Sequence, residues 1–359
     1  LRHRALACAI LSIIRQKLLL KDFMTVPVGI VGFGTYFPPH VETAADLAPR
    51  THIPEAILQE KMGIRQRHVA GPEDTVTHMA SQAALAAIAM AGIAPERIGM
   101  VISHGSEHKD HLVWNAASKI QHNVGAVNAF AFEMYALCAG APIALHAARA
   151  MMMADPRLEY VLLAAGSREN DLINPLNERS RFMINFGAGG GAMLLKRGAA
   201  ENLILGAAAF TDGSLSETVV LTTAAVGDDQ PVIGDLHGRL DVTDPAYMAA
   251  RLGETSLTNF VRIIREAVEQ AGAALSDVRF LGITHMKRSF YLEILRAIGL
   301  TPEQSVYLED YGHVQSVDQV LALQLGLAAG KIRPGDLVVL AGAGTGYTWS
   351  AVAVRWGQV

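Results

Sequence analysis

"AALAAIAMAGIAPERIGMVISHG", residues 83–105, reads as a helix, a stop, a polar turn and a buried strand, in that order. Small and aliphatic residues run at helical spacing to Ala91, Gly92 supplies the stop, and the aliphatic run from Ile98 ends near His104. The same order returns in "RIIREAVEQAGAALSDVRFLGITHM", residues 262–286, which ends near His285. Ala91 and Gly92 fall on Ala271 and Gly272, an offset of 271 − 91 = 180. A second pair matches too: residues 138–167 and 314–344 each read as a helix, a turn containing Pro, and an aliphatic strand running into glycine. Here Leu162 falls on Val339, an offset of 339 − 162 = 177. Two matched segments in one order and at nearly one offset mark an internal duplication. Helices alternating with aliphatic strands make the repeated unit α/β. The expected halves are residues 24–199 and 200–359, with residues 1–23 an extension outside the fold.

The chain has 359 residues, 51% of them hydrophobic and 18% charged, enough to bury a large core. A formal net charge of −4 gives no electrostatic reason to expect nucleic acid or an anionic membrane as a partner. The 2 cysteines, Cys8 and Cys138, sit in dissimilar contexts, which suits a reducing, cytoplasmic setting rather than a disulfide framework. "LRHRALACAILSIIRQKLLLKDF", residues 1–23, has a basic start and an apolar core. Arg15 and Lys17 follow that core directly, with no small-residue cleavage site, and the core is too short to span a bilayer.

Sites in α/β sheets assemble at strand ends and helix starts. If the halves pack about a pseudo-twofold axis, equivalent loops face each other. At the offset of 177, Cys138 falls opposite residue 315 in "YGHVQSVDQ", and the strand end at His104 falls opposite His285. Cys138, His285 and the turn 311–318 are therefore expected to converge. Gly140 and Pro142 look like a helix opening after Cys138, where the helix dipole favours a thiolate. The competing role for Cys138 is that of a small buried hydrophobe.

"VGIVGFGTYFPP" (28–39), "KMGIRQRHVAGPEDTVTHMA" (61–80), "ALCAGAPIAL" (136–145), "INFGAGGGAMLL" (184–195) and "DLVVLAGAGTGYTWSAVAVRWG" (336–357) carry a resemblance. Together they resemble the beta-ketoacyl-ACP synthase III branch of the thiolase superfamily, from about Val26 to the C-terminus. The resemblance implies a duplicated five-layered αβαβα fold, usually a homodimer, with the acyl group carried on Cys138. It implies an acyl carrier protein or coenzyme A thioester as donor, its phosphopantetheine arriving as substrate, with no separate cofactor. It places Cys138 and Thr345 at the oxyanion donors, Gly344 and Gly346 beside the substrate, and Arg65 and Arg67 near the pantetheine tunnel. For the two arginines, a purely structural ion pair competes with a phosphate contact. The aromatic residue that commonly stacks on adenine is missing from "AILQEKMGI", which favours a carrier-protein donor.

Two departures from the family pattern matter. The usual His-Gln-Ala-Asn is "HMKR" here, so His285 matches and its three followers do not. The usual Tyr-Gly-Asn is "YGH", with His313 in place of the Asn that helps hold the enolate of a decarboxylative condensation. Asp318 lies 318 − 285 = 33 residues after His285. Paired with it, Asp318 would fix the tautomer of a general base for an acyl acceptor. On that arrangement, Asp318→Asn is expected to load acyl normally and transfer it slowly. Asp318 as a solvent-facing helix cap, and His313 as the third catalytic member, are the competing roles. "HGSEHKDH" (104–111) matches no zinc spacing, so its histidines are expected in a solvated loop, with no metal. The glycines of "GAGTG" lead into a strand, not a phosphate-binding helix. The leading expectation is an acyltransferase of specialised metabolism. Its rivals are a decarboxylative C–C condensing synthase and a non-catalytic partner subunit of a heterodimeric synthase.

Overall fold

The computed structural model describes residues 26–222 and 239–358; the extension 1–23 lies outside the described residues. The first half runs β1 (Val28–Tyr36), β2 (Val41–Thr43), α1 (Ala44–Thr51), α2 (Glu55–Glu60), β3 (Gln66–His68), α3 (Val76–Ala91) and β4 (Ile98–Ser103). It continues through α4 (Ala116–Asn123), β5 (Phe130–Glu133), α5 (Gly140–Ala154), β6 (Tyr160–Ser167) and β7 (Gly189–Arg197). The second half opens with β8 (Glu201–Thr211), β9 (Val219–Thr222), β10 (Arg239–Val242), α6 (Pro245–Gln270) and β11 (Val278–Ile283). It closes with α7 (Arg288–Ala297), α8 (Asp318–Ala328), β12 (Leu337–Gly344) and β13 (Thr348–Gln358).

Strand order is β11-β12-β13-β8-β1-β7-β6-β4-β5, and it reads alike outward from its middle. β8 answers β1, β13 answers β7, β12 answers β6 and β11 answers β4. Directions agree as well: β4–β6 and β11–β12 are parallel, while β6–β7, β7–β1, β12–β13 and β13–β8 are antiparallel. The half-sheets join through Gly29 and Leu203. β4 and β11 are displaced by 278 − 98 = 180 residues, and β6 and β12 by 337 − 160 = 177. Where the first half has β5, the second has the parallel bridge Leu281–Ser305.

Both outer helices lie on their sheets backbone to backbone. A Cβ on Gly32 of β1 would stand 2.1 Å from the Ala87 carbonyl of α3, and one on Gly206 of β8 the same 2.1 Å from the Ala267 carbonyl of α6. α3 starts at Thr75, whose side chain accepts from His78 N, and stops at Gly92 with φ +63°. α6 starts at Asp244 with Pro245 at its first position. α3 packs on β1, β6 and β7, and α6 on β8, β12 and β13. α5 and α8 lie between, each touching strands of both halves, which completes the five layers. Leu145, Ala148 and Met152 of α5 and Val320 and Leu323 of α8 fill this middle layer. Leu137–Ala154 is long and apolar enough by composition to cross a bilayer, yet half of it is buried inside the fold.

Candidate active site

Cys138 sits in the 3₁₀ turn Leu137–Ala139 that delivers the chain into α5. Leu137 enters it with φ +49°, a costly left-handed conformation for a residue with a Cβ. Its counterpart is the turn Gln315–Val317 ahead of α8, entered by Gln315 at φ +51°. The true offset here is 315 − 137 = 178, so Cys138 answers Ser316, one residue beyond the expected position 315. The two turns face each other at the seam between the halves. A Cβ on Gly140 would stand 2.6 Å from the His104 carbonyl and 3.3 Å from Ser316 Cβ.

Each turn is fastened by the opposite half. Gln319 Nε2 donates to the Cys138 carbonyl at 3.1 Å, and also to Thr284 Oγ1 and the Ala341 carbonyl. Ser350 Oγ donates to the Ala139 carbonyl at 2.8 Å. In return, Ser316 Oγ donates to the His104 carbonyl at 2.9 Å and lies 3.1 Å from His104 Nδ1. His104 is thus a buried member of the seam and not part of a solvated loop; burial pushes its imidazole down to about 4. His108 lies 3.8 Å from Asp171, and His111 packs edge-on against Trp114. Among the described residues no group of His, Cys, Asp or Glu is arranged to hold a metal ion.

The partner of the thiol is His313. Its Nε2 lies 3.0 Å from Cys138 Sγ and its Nδ1 2.6 Å from Asp318 Oδ2. Asp318, the first residue of α8, is wholly buried, which excludes a solvent-facing cap. Its Oδ1 accepts from Val314 N at 2.8 Å, and its Oδ2 accepts from His285 N at 2.7 Å. Asp318 therefore reaches His285 through the backbone amide and spends its ring contact on His313, correcting the expected Asp318–His285 side-chain pair. Burial works against a charge on His313, but Cys138 and Asp318 outweigh it and hold the imidazole well above its usual 6.5. Burial pushes His285 down to about 4, with Asp318 opposing and His313 assisting. Neither buried ring nitrogen of His285 meets a partner at full hydrogen-bond geometry, although the Gly63 backbone lies close enough to favour its charged form, and the ring lies 4.7 Å from that of Tyr307. One histidine favours the charged form, the other the neutral form.

Thr345 heads the turn from β12 to β13. Gly344, just before it, packs on Cys138: a Cβ there would stand 3.1 Å from Cys138 N. Gly346 follows at φ +101° with open space around it. Arg65 is exposed and paired with Asp310, at the rim of a cleft of about 350 Å³ shared with Gln59, Glu60, Arg288 and Glu309. Arg67 is buried, held by Glu42 and by the carbonyls of Ile184 and Phe186. Gln319 and Ser350 escaped the sequence reading. The available signal for Gln319 was a second polar residue inside an apolar helix, directly after Asp318.

Residues 132–213 match the family model of 3-oxoacyl-[acyl-carrier-protein] synthase III, and residues 268–356 match the model of its C-terminal part. The chain is 31% identical over 336 residues to beta-ketoacyl-[acyl-carrier-protein] synthase III of Bordetella petrii, covering 91% of this chain and 97% of that one. It is 30% identical over 336 residues to the synthase of the same name from Thermosynechococcus vestitus, covering 93% and 100%. The crystal structure of 3-oxoacyl-(acyl carrier protein) synthase III from Pseudomonas aeruginosa superposes with a TM-score of 0.80 at 26% identity, covering 92% and 99%. The priming beta-ketosynthase of the R1128 polyketide pathway shares the fold, with a TM-score of 0.80 at 23% identity, covering 92% and 96%. With a cysteine at a helix start inside a duplicated five-layered fold, the chain belongs to the beta-ketoacyl-[acyl-carrier-protein] synthase III family of acyl-transferring and condensing ketosynthases.

Proposed function

We propose that this ketosynthase is an acyltransferase. It takes an acyl group from a carrier-protein or coenzyme A thioester onto Cys138 and passes it to a nucleophilic acceptor. The observation that carries the proposal is the line Cys138 Sγ–His313–Asp318, at 3.0 and 2.6 Å. Between Asp318 and Cys138, His313 favours the charged form at rest; once a proton leaves with the donor thiol, Asp318 keeps the remaining one on Nδ1 and the lone pair of Nε2 faces the acceptor. That is the posture of a base. Holding the enolate of a decarboxylation instead needs an N–H facing the acyl carbon at that stage, when the neutral ring has its one proton on Nδ1.

In the loading step, the proton between Cys138 and His313 lies on Nε2 as Sγ attacks the thioester carbonyl. The oxyanion rests on the amides of Cys138 and Thr345. The donor C–S bond breaks, and His313 hands the proton to the departing thiol. In the transfer step, the acceptor H–X attacks acyl-Cys138, His313 takes its proton and returns it to Sγ as the second C–S bond breaks. Neutral His285, with no ring nitrogen held at full hydrogen-bond geometry, orients the acceptor. Retention of Cys138 beside a charged partner argues against a non-catalytic subunit. We place the reaction in the cytoplasm, in a homodimer, and within specialised metabolism.

The second reading, decarboxylative condensation, is favoured by the relatives named as synthases and by the two histidines at the site. Intact-mass spectrometry with a panel of acyl thioesters, followed by amine, alcohol and thiol acceptors, tests the proposal. An acyl mass on Cys138 that discharges to an acceptor is expected. Robust release of carbon dioxide from a malonyl thioester selects condensation instead.

A further inference from the structure

We propose that Arg67 is a positioning residue for His313, an inference that rests on the Cys138–His313–Asp318 reading above. Its side chain is 8% exposed and every arm of its guanidinium is engaged. Nε and Nη2 donate to Glu42 Oε2 at 3.2 and 2.8 Å, and Nη1 donates to the carbonyls of Ile184 and Phe186 at 2.7 and 2.9 Å. Those carbonyls flank Asn185, whose own carbonyl accepts from His313 N at 2.7 Å. On the other side, Gly187 N donates to the His313 carbonyl at 2.9 Å. Phe186 sets its ring edge-on to the imidazole, with centroids 4.9 Å apart. The segment 184–187 thus grips His313 at its amide, its carbonyl and its ring, and Arg67 holds that segment from behind.

The fit is close on the same side. Gly312, at φ +73°, leaves room where a Cβ would stand 2.5 Å from the Asn185 carbonyl and 3.2 Å from Arg67 Cβ. Only a planar fork serves two carbonyls and a carboxylate at once; an ammonium on a flexible stem does not. Misplacing a reacting group by about 1 Å costs up to roughly 10²-fold in rate. Loss of the fork therefore acts on the chemistry through His313, some distance from the substrate.

The experiment uses the full chain, with acyl loading followed by intact mass across a pH series. Arg67→Lys is expected to lower kcat for loading by roughly 10- to 100-fold with KM for the donor unchanged. The alkaline limb, where the imidazolium proton is lost, should move down toward pH ~6.5 as Asp318 and His313 part. A merely structural role lowers thermal stability and leaves that limb in place. If Arg67→Lys does not fold, Glu42→Gln decides, since it loosens the fork without removing it. Wild-type kcat and an unmoved limb in the folded variant overturn the proposal. Asp318→Asn runs alongside: if it loads at the wild-type rate, the triad reading has failed and not merely the role of Arg67.

Discussion

Asp318 accepts from two backbone amides and one imidazole within a wholly buried pocket, so no part of its carboxylate faces water. Each of its oxygens is met by a donor, as a buried carboxyl group requires. Asp318→Asn places an amide against Nδ1 and leaves His313 without its counter-charge. Acyl loading is expected to fall by about 10²–10⁴-fold, the scale of a positioned base. Loading and transfer should suffer together, since His313 touches the sulfur in both steps; a stopped-flow burst assay separates the two. His285→Gln should instead load near the wild-type rate and transfer slowly, as expected of a group that faces only the acceptor. The site's members were legible as residue types in the sequence, but their pairing was not. Spacing alone brings Asp318 to the end of β11 or to His313 equally well. The chain turns between positions 313 and 318, through the left-handed backbone at Gln315, and Asp318 meets His313 Nδ1 while Nε2 meets Cys138.

At the scale of elements, the duplication was legible because buried strands and helix stops tolerate few residue types. Ala-Gly at 91–92 and 271–272 marked two helix ends, both followed by strands at the same interval. The site turn was off by one because α5 and α8 start at an offset of 178, between those of the flanking strands. β5 has no full strand as its counterpart, so no repeat pointed to it. The glycine contacts under α3 and α6 supply a test of equivalence. Gly32→Ala and Gly206→Ala each push a methyl into a helix carbonyl with no side chain able to give way. Each is expected to cost about 1–3 kcal/mol, and by similar amounts. Urea unfolding should show lowered midpoints with unchanged slopes. A neutral Gly206→Ala would mean that α6 sits more loosely than α3.

For the whole molecule, the buried histidines set the response to acid. His104 and His285 both bind protons only near pH 4 when folded, against 6.5 in the open chain. The unfolded state therefore takes up more protons as pH falls through that window, and stability drops from about 6.5 down to about 4. Each group contributes up to roughly 3 kcal/mol to that loss. His313 has the opposite sign: its raised value stabilises the fold fully below pH 6.5, and that contribution fades as pH rises through its folded value. His104→Gln should flatten the fall in stability between pH 6.5 and 4, measured by chemical denaturation at fixed temperature. An unchanged slope would mean that His104 gains a proton inside the fold.

The seam has one further effect. Cys138 and Ser316 occupy equivalent turns, one carrying the proposed nucleophilic sulfur and the other a hydroxyl bound to His104. Gln319, from the second copy, grips the carbonyl of Cys138, while His104, from the first, grips the turn beside Asp318. Each copy is the other's clamp. A change that lets the halves slide apart would disarm the thiol before it unfolds either sheet, so activity in this molecule is a gauge of how firmly two ancestral units remain shut.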